Sequence, residues 1–224
     1  DGRMMMKNRI GIMMGVIVAA ALSAMAMTMQ ELQSAVNDAP AGGTVYLTGD
    51  VEYDTALTVV KKVTIASPAG ERHVLTRAAG YADGRFLNVS SAEADVTLQN
   101  LIVDGNKSAG TLSQRIVQFA AGKLTLGAGA VIRNAATVNG GMLWFDAGTQ
   151  FVMEEGSELS GFESPKYGVA VAMQGAFVMN GGRIVARLLN ELELDITNWS
   201  FEDVTPGKKA FKLNTVSTLG VEGV

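Results

Sequence analysis

Apolar and polar residues alternate with period two along most of this chain, in short bursts separated by Gly, Asn, Asp and Ser. That period belongs to β-strands, since a helix would bring apolar residues back every three or four positions. Three bursts align closely: Leu124-Thr-Leu-Gly-Ala-Gly129, Phe151-Val-Met-Glu-Glu-Gly156 and Phe177-Val-Met-Asn-Gly-Gly182, at intervals of 27 and 26 residues. Each is followed by a second short apolar strand: Ala130-Val-Ile132, Ser157-Glu-Leu159 and Arg183-Ile-Val185. Upstream, Val96-Thr-Leu98 stands 28 residues before Leu124, Val63-Thr-Ile65 a further 33 before that, and Val45-Tyr-Leu47 a further 18. A second ladder runs between these. Arg85-Phe-Leu-Asn-Val89, Arg115-Ile-Val-Gln-Phe119, Gly141-Met-Leu-Trp-Phe145 and Gly168-Val-Ala-Val-Ala-Met173 recur at 30, 26 and 27.

A unit of about 27 residues with two or three short strands cannot bury its apolar face alone, so the units must stack. The expected fold is all-β, a single-stranded parallel β-helix in which equivalent strands lie about 4.8 Å apart. Leu98, Leu126, Met153 and Met179 then form one internal column, and Gly129, Gly156 and Gly182 fall on one recurring corner of positive φ. A two-sheet sandwich gives no reason for that offset to recur.

The N-terminal region reads differently. Lys7 and Arg9 precede an apolar run from Ile10 to Leu22, which ends in Ser23-Ala24-Met25-Ala26. This is the order of a secretory signal peptide, with cleavage expected after Ala26; retention as an uncleaved anchor is the alternative. Residues 1–26 are therefore assigned to the signal peptide and upstream residues, 27–43 to a capping helix and 44–224 to the solenoid. Thr28-Met-Gln-Glu31 is a capping box, and Leu32, Ala35 and Val36 form the apolar stripe of a helix that stops near Pro40. The chain closes on Gly-Val-Glu-Gly-Val224 with no capping helix or sorting signal, so the expectation is the N-terminal piece of a longer protein or a truncated reading frame.

After the capping helix, Gly43-Thr-Val-Tyr-Leu-Thr-Gly-Asp50 and Val96-Thr-Leu-Gln-Asn-Leu-Ile-Val-Asp-Gly-Asn106 resemble the opening of right-handed parallel β-helix proteins of the pectate-lyase-like superfamily. Leu124-Thr-Leu-Gly-Ala-Gly-Ala-Val-Ile-Arg-Asn134 and Phe177-Val-Met-Asn-Gly-Gly-Arg-Ile184 resemble the repeats of large, non-catalytic bacterial cell-surface proteins of that fold. The resemblance spans about residues 28–185. It implies secretion, an elongated rod, and a role in adhesion or contact with an extracellular glycan or host-surface ligand. It also implies an alternative, because enzymes of the superfamily include calcium-dependent polysaccharide lyases and hydrolases with Asp clusters.

Composition narrows the chemistry. The absence of Cys removes disulfides and thiolate sites, and a lone His73 removes any site needing two imidazoles. A net charge of −4 argues against nucleic acid as a partner, and no membrane segment is expected beyond the signal. No cofactor is expected, with calcium reserved for the enzyme alternative. For that metal the best local candidate is Asp50-Val-Glu52-Tyr-Asp54, whose carboxylates share a strand face, although they equally describe a solvated outer surface. Glu154-Glu155 and Glu202-Asp203 are neighbours that point to opposite faces and make poor glycosidase pairs. Asp83, Asp104 and Asp146 converge only if the coil register brings them together. Asp104-Gly-Asn106 reads first as a turn, and His73 as an exposed loop residue. Catalytic residues are not assignable. For glycans, flat rings matter, and Trp144, Tyr167 and Trp199 are the candidates, with Phe145 and Phe162 beside them. If Leu143 and Phe145 face the core, Trp144 faces out.

Overall fold

The computed structural model describes residues 26–138, 142–164, 170–188 and 192–197, the segments 186–188 and 192–197 in backbone only. Among these residues the chain winds into a parallel β-solenoid of three sheets and about five turns. Thr44–Tyr46, Lys62–Ala66, Asp95–Gln99, Lys123–Leu126, Gln150–Met153 and Ala176–Met179 stack as the first sheet. Val51–Tyr53, Val74–Arg77, Ile102–Asp104, Val131–Ala136, Glu158–Ser164 and Arg183–Leu188 make the second, joined at its far edge by the antiparallel Leu192–Thr197. Leu57–Thr58, Leu87–Val89, Val117–Phe119, Leu143–Phe145 and Val171–Met173 make the third. The expected signal segment lies outside the described residues apart from Ala26, and among the described residues no helix is long and apolar enough to cross a membrane.

The stacking register follows the repeat. Leu124 pairs with Phe151, and Phe151 with Phe177, as the 27- and 26-residue intervals require. Leu98, Leu126, Met153 and Met179 are successive partners and none is exposed, so the expected internal column exists. Each such side chain contributes roughly 1.5–3 kcal/mol on burial. Rings meet inside the core: Phe145 of the third sheet stacks on Phe151 of the first, and Phe151 on Phe177 one coil on, with centroids 4.8 and 5.1 Å apart.

Two intervals differ from the sequence reading. Val45 pairs with Ile65, not Val63. A slip of two residues keeps every side chain on its own face, so hydrophobic alternation is blind to it. In the third sheet Leu143 pairs with Val171, an interval of 28 where the segment starts gave 27. The extra residue lies before the strand.

The corner glycines behave as the offset demands: Gly129, Gly156 and Gly182 have φ of 72°, 77° and 88°. One coil earlier the corner is Asn100, at φ 50°, whose amide Nδ2 donates to the carbonyls of Glu71 at 2.8 Å and Pro68 at 3.2 Å. Asn tolerates the left-handed region better than other side-chain-bearing residues, and here its amide also ties down the loop of the coil below.

Helix Met29–Asp38 covers the first rung. Thr28 Oγ1 accepts from the Glu31 N–H at 3.2 Å while Glu31 Oε2 accepts from the Thr28 N–H at 2.7 Å. Met29, Leu32 and Val36 are buried, and Ala35 packs beside them. The Gln33 amide donates to Thr58 O at 3.0 Å and accepts from Thr58 N at 2.9 Å, acting as a one-residue strand partner on the edge of the third sheet. Side-chain pairing of this kind blunts an edge that would otherwise recruit another chain.

The columns set the expected response to mutation. Leu126→Ala, inside, should cost about 2–5 kcal/mol in urea unfolding, while Thr125→Ala, its outward neighbour, should stay within about 0.5 kcal/mol. Equal losses would contradict the assignment of faces.

Candidate functional site

Outward side chains of neighbouring coils form short ladders, and the richest described ladder lies on the third sheet. Its outward column runs Asn88, Gln118, Trp144, Ala172. Leu143 and Phe145 are buried and Trp144 is half-buried on the outer side, as alternation predicts. Trp144 is not a bare platform, however. The Arg115 guanidinium lies over its ring, 4.1 Å from the centroid, and the indole N–H donates to Asp146 Oδ1 at 2.7 Å. Arg85 occupies the position equivalent to Arg115 one coil earlier. Its Nε and Nη2 each donate to the Asp83 carboxylate at 2.8 Å, and its Nη1 reaches Gln118 Oε1 at 3.4 Å.

The electrostatics of the two arginines differ. Arg85 is held above the usual guanidinium range by its bonds to Asp83, and Asp83 falls below the usual carboxylate range mainly through the same bonds. Arg115 is lowered, first by burial and also by the like charge of Arg85, with Asp146 opposing. It remains a cation, because a guanidinium does not lose its proton in a protein. Its Nε is buried without a hydrogen-bond partner among the described residues. Sequence reading missed Arg115, although its shared offset with Arg85 was visible.

Arg77 was also missed, and it organises the adjoining loop. It sits at the inward parity of its strand and is only 1% exposed. Among the described residues no carboxylate bonds to it. Instead Nε donates to Gly105 O at 2.8 Å, Nη1 to Tyr81 O at 2.9 Å, and Nη2 to Asn106 O at 2.9 Å and Gly110 O at 2.5 Å. A buried guanidinium needs this many acceptors, and here the backbone of 105–110 supplies most of them. Gly105 lies directly above; a Cβ there would come within 2.5 Å of Ala135 Cβ. The signal was an Arg in register with Leu75, where an apolar residue belongs.

The other candidates separate. Asp50, Glu52 and Asp54 are exposed, flanking buried Val51 and Tyr53, and Asp50 Oδ1 accepts from the Val74 N–H at 2.8 Å. Among the described residues no group of three His, Asp or Glu side chains is arranged to hold a metal ion. Asp104 is a turn residue as well as a cross-link. Oδ1 accepts from the Asn106 N–H at 2.9 Å and Asn134 Nδ2 at 2.7 Å, and Oδ2 from Arg133 Nε at 3.0 Å. It belongs to the second sheet, whereas Asp83 and Asp146 border the third. Glu154 accepts from Asn180 Nδ2 one coil on, at 3.0 and 3.1 Å, as a polar corner. Phe145 and Phe162 are core residues and offer no ring to a ligand. His73 departs from the exposed reading: its side chain is 16% exposed, with Nδ1 3.6 Å from Asp50 and Nε2 2.8 Å from Glu71 Oε2, out of line for a ring N–H. The 67–73 loop closes on itself where the His73 N–H donates to Ser67 Oγ at 2.8 Å. Tyr167, Trp199, Glu202 and Asp203 lie outside the described residues.

Tyr81 gives the site an alkaline signature. Burial, then the charge of Asp83, pushes its phenol up to about 12, with Arg85 opposing; Tyr53 is raised further by burial. A raised phenol favours folding below the unfolded value of about 10 and loses that contribution as pH climbs through the folded value. Absorbance titration at 295 nm should show a step near pH 12 that Tyr81→Phe removes. Ionisation of Tyr81 near pH 10 would contradict its packing.

Comparison of the chain with protein-family models, with curated proteins and with solved structures finds no match.

Proposed function

We propose that this chain is an exported, non-catalytic β-solenoid that serves as a surface stalk or adhesive module and touches glycans along its outer faces. One observation carries the reading: the polar side chains gathered on the coils bond to one another from rung to rung. Asp104 bonds to Arg133 and Asn134, Lys107 to Glu163 at 2.7 Å, Lys62 to Asp95 at 3.2 Å, and Asn180 to Glu154. Carboxylates engaged in this way stiffen a stack, and they are not held in readiness to protonate a glycosidic oxygen or to bind a metal. The continuous core supports a rod, and a rod presents binding groups on extended faces instead of in a deep pocket. Within this reading the chain stands with the surface-repeat proteins of the pectate-lyase-like superfamily, on the motifs quoted above.

Two measurements on the full reading frame test it together. Antibody against the solenoid should label intact producing cells, and polyuronate and neutral glycan panels, with and without calcium, should yield no new reducing ends or unsaturated products. Cleavage of any glycan would overturn the non-catalytic reading, and labelling only after lysis would overturn export.

A further inference from the structure

The first rung presents three sheet edges at the N-terminal end of the coil, and they are treated differently. The third-sheet edge is blunted by the Gln33 amide at Thr58. Helix Met29–Asp38 leans over that strand and over Val51–Tyr53 of the second sheet. The first-sheet edge, Thr44–Tyr46, is left without a side-chain partner of that kind among the described residues. Gly43 O accepts from the Thr64 N–H at 2.9 Å, and the Leu47 N–H donates to Ala66 O at 2.8 Å. Gly43, Val45 and Leu47 thus turn their backbone groups toward the next rung, and by strand alternation Thr44 and Tyr46 turn theirs outward along the edge. Among the described residues nothing bonds to the N–H or C=O of either.

The side chains suit the edge to pairing as well. Thr44 is exposed and Tyr46 is 57% exposed. Neither is a lysine, a proline or part of a bulge, the devices with which proteins keep an edge from recruiting another strand. From Thr44 the outward column continues through Thr64, Thr97 and Thr125, so the face that an added strand would extend is uncharged and β-branched there. Such a strand gains up to about four backbone hydrogen bonds, from the N–H and C=O of Thr44 and Tyr46. A second solenoid cannot be the occupant. Adjacent strands lie about 4.8 Å apart, whereas a helix with its side chains is about 10–12 Å across. Helix Met29–Asp38 stands on this rung, so it holds off the end of another coil before strands reach bonding distance. A lone extended segment has no such bulk.

We propose that the Thr44–Tyr46 edge docks a single extended peptide segment of a partner protein, uncharged and rich in β-branched residues, which adds one strand to the first sheet. β-Branched residues fit because they favour the strand and pair well across it with Thr44 and Tyr46. The edge belongs to a different sheet from Trp144, and the inference goes beyond the glycan-contacting reading without resting on it.

Amide hydrogen exchange of the full chain, followed residue by residue by NMR, tests the edge. In the free protein the Thr44 and Tyr46 amides should exchange quickly and that of Val45 slowly. The probe is a blocked, soluble peptide of about seven residues that alternates Thr with Val between terminal Ser residues. At saturation it should slow Thr44 and Tyr46 exchange by at least about tenfold. The same peptide N-methylated at two adjacent central residues lacks a donor on each of its edges and should slow neither. Tyr46→Pro removes one edge donor where no ladder bond is needed, and it should weaken peptide binding by about tenfold or more. Tyr46→Thr keeps the donor and should bind within about threefold of the parent chain. Matching melting curves and circular dichroism would show that both variants fold, and the N-methylated peptide tests the edge without any variant. Slow exchange of Thr44 and Tyr46 in the free chain, equal slowing by the N-methylated peptide, full binding by Tyr46→Pro, or no binding of the alternating peptide would overturn the inference. Slowing that rises with protein concentration in the absence of peptide would give the edge to a second copy and overturn it too. None of these outcomes bears on export or on catalysis.

Discussion

Everything in this protein depends on backbone hydrogen bonding between equivalent strands of successive coils. A three- or four-residue strand has too few bonds and too little apolar area to persist alone, so each rung exists because the rungs on either side complete it. Stacking at about 4.8 Å fixes the lateral position of each side chain to that of its counterpart one repeat away. Like therefore meets like: leucine and methionine inside, phenylalanine on phenylalanine, and arginine beside arginine outside. The inner consequence is stabilising, and the outer one sets up charges that need answering.

How those charges are answered distinguishes the parts of the surface. Along the second sheet carboxylates answer several cations, Asp104 meeting Arg133 and Glu163 meeting Lys107. Half-buried pairs of this kind are worth little singly, but they join coils far apart in sequence. Arg77 follows another course: its inward position would be costly for a bare charge, and the loop above it turns its carbonyls toward the guanidinium. On the third sheet the Arg115 guanidinium lies over the face of the Trp144 indole, with the charge of Asp146 opposing its burial.

The solenoid was legible from the chain because period-two alternation and the 27-residue repeat both survive in the letters. Leu98, Leu126, Met153 and Met179 could be placed in one column before any coordinates, as could the left-handed corners at Gly129, Gly156 and Gly182. The Val45–Ile65 register was not legible, since a shift of two residues costs the pattern nothing. Asn100 escaped notice as a corner because the eye sought glycine. The site was legible only by halves. Alternation put Trp144 outside, but what covers an outward side chain comes from another coil and depends on rotamers, so the Arg115 contact could not be read. Arg77 was hidden by the opposite assumption, that charged residues face water.

The central claim is that the repeats lie directly over one another, rung upon rung. The chain contains no cysteine, so spin labels can be placed without ambiguity at Thr64→Cys and Val178→Cys, outward positions of one column four rungs apart. Four steps of about 4.8 Å place their backbones roughly 19 Å apart. Electron–electron double resonance should give a single narrow distribution centred near that separation, widened only by the label tethers. A broad distribution, or one centred beyond about 30 Å, would mean that the repeats do not stack in this order, and the account would fail.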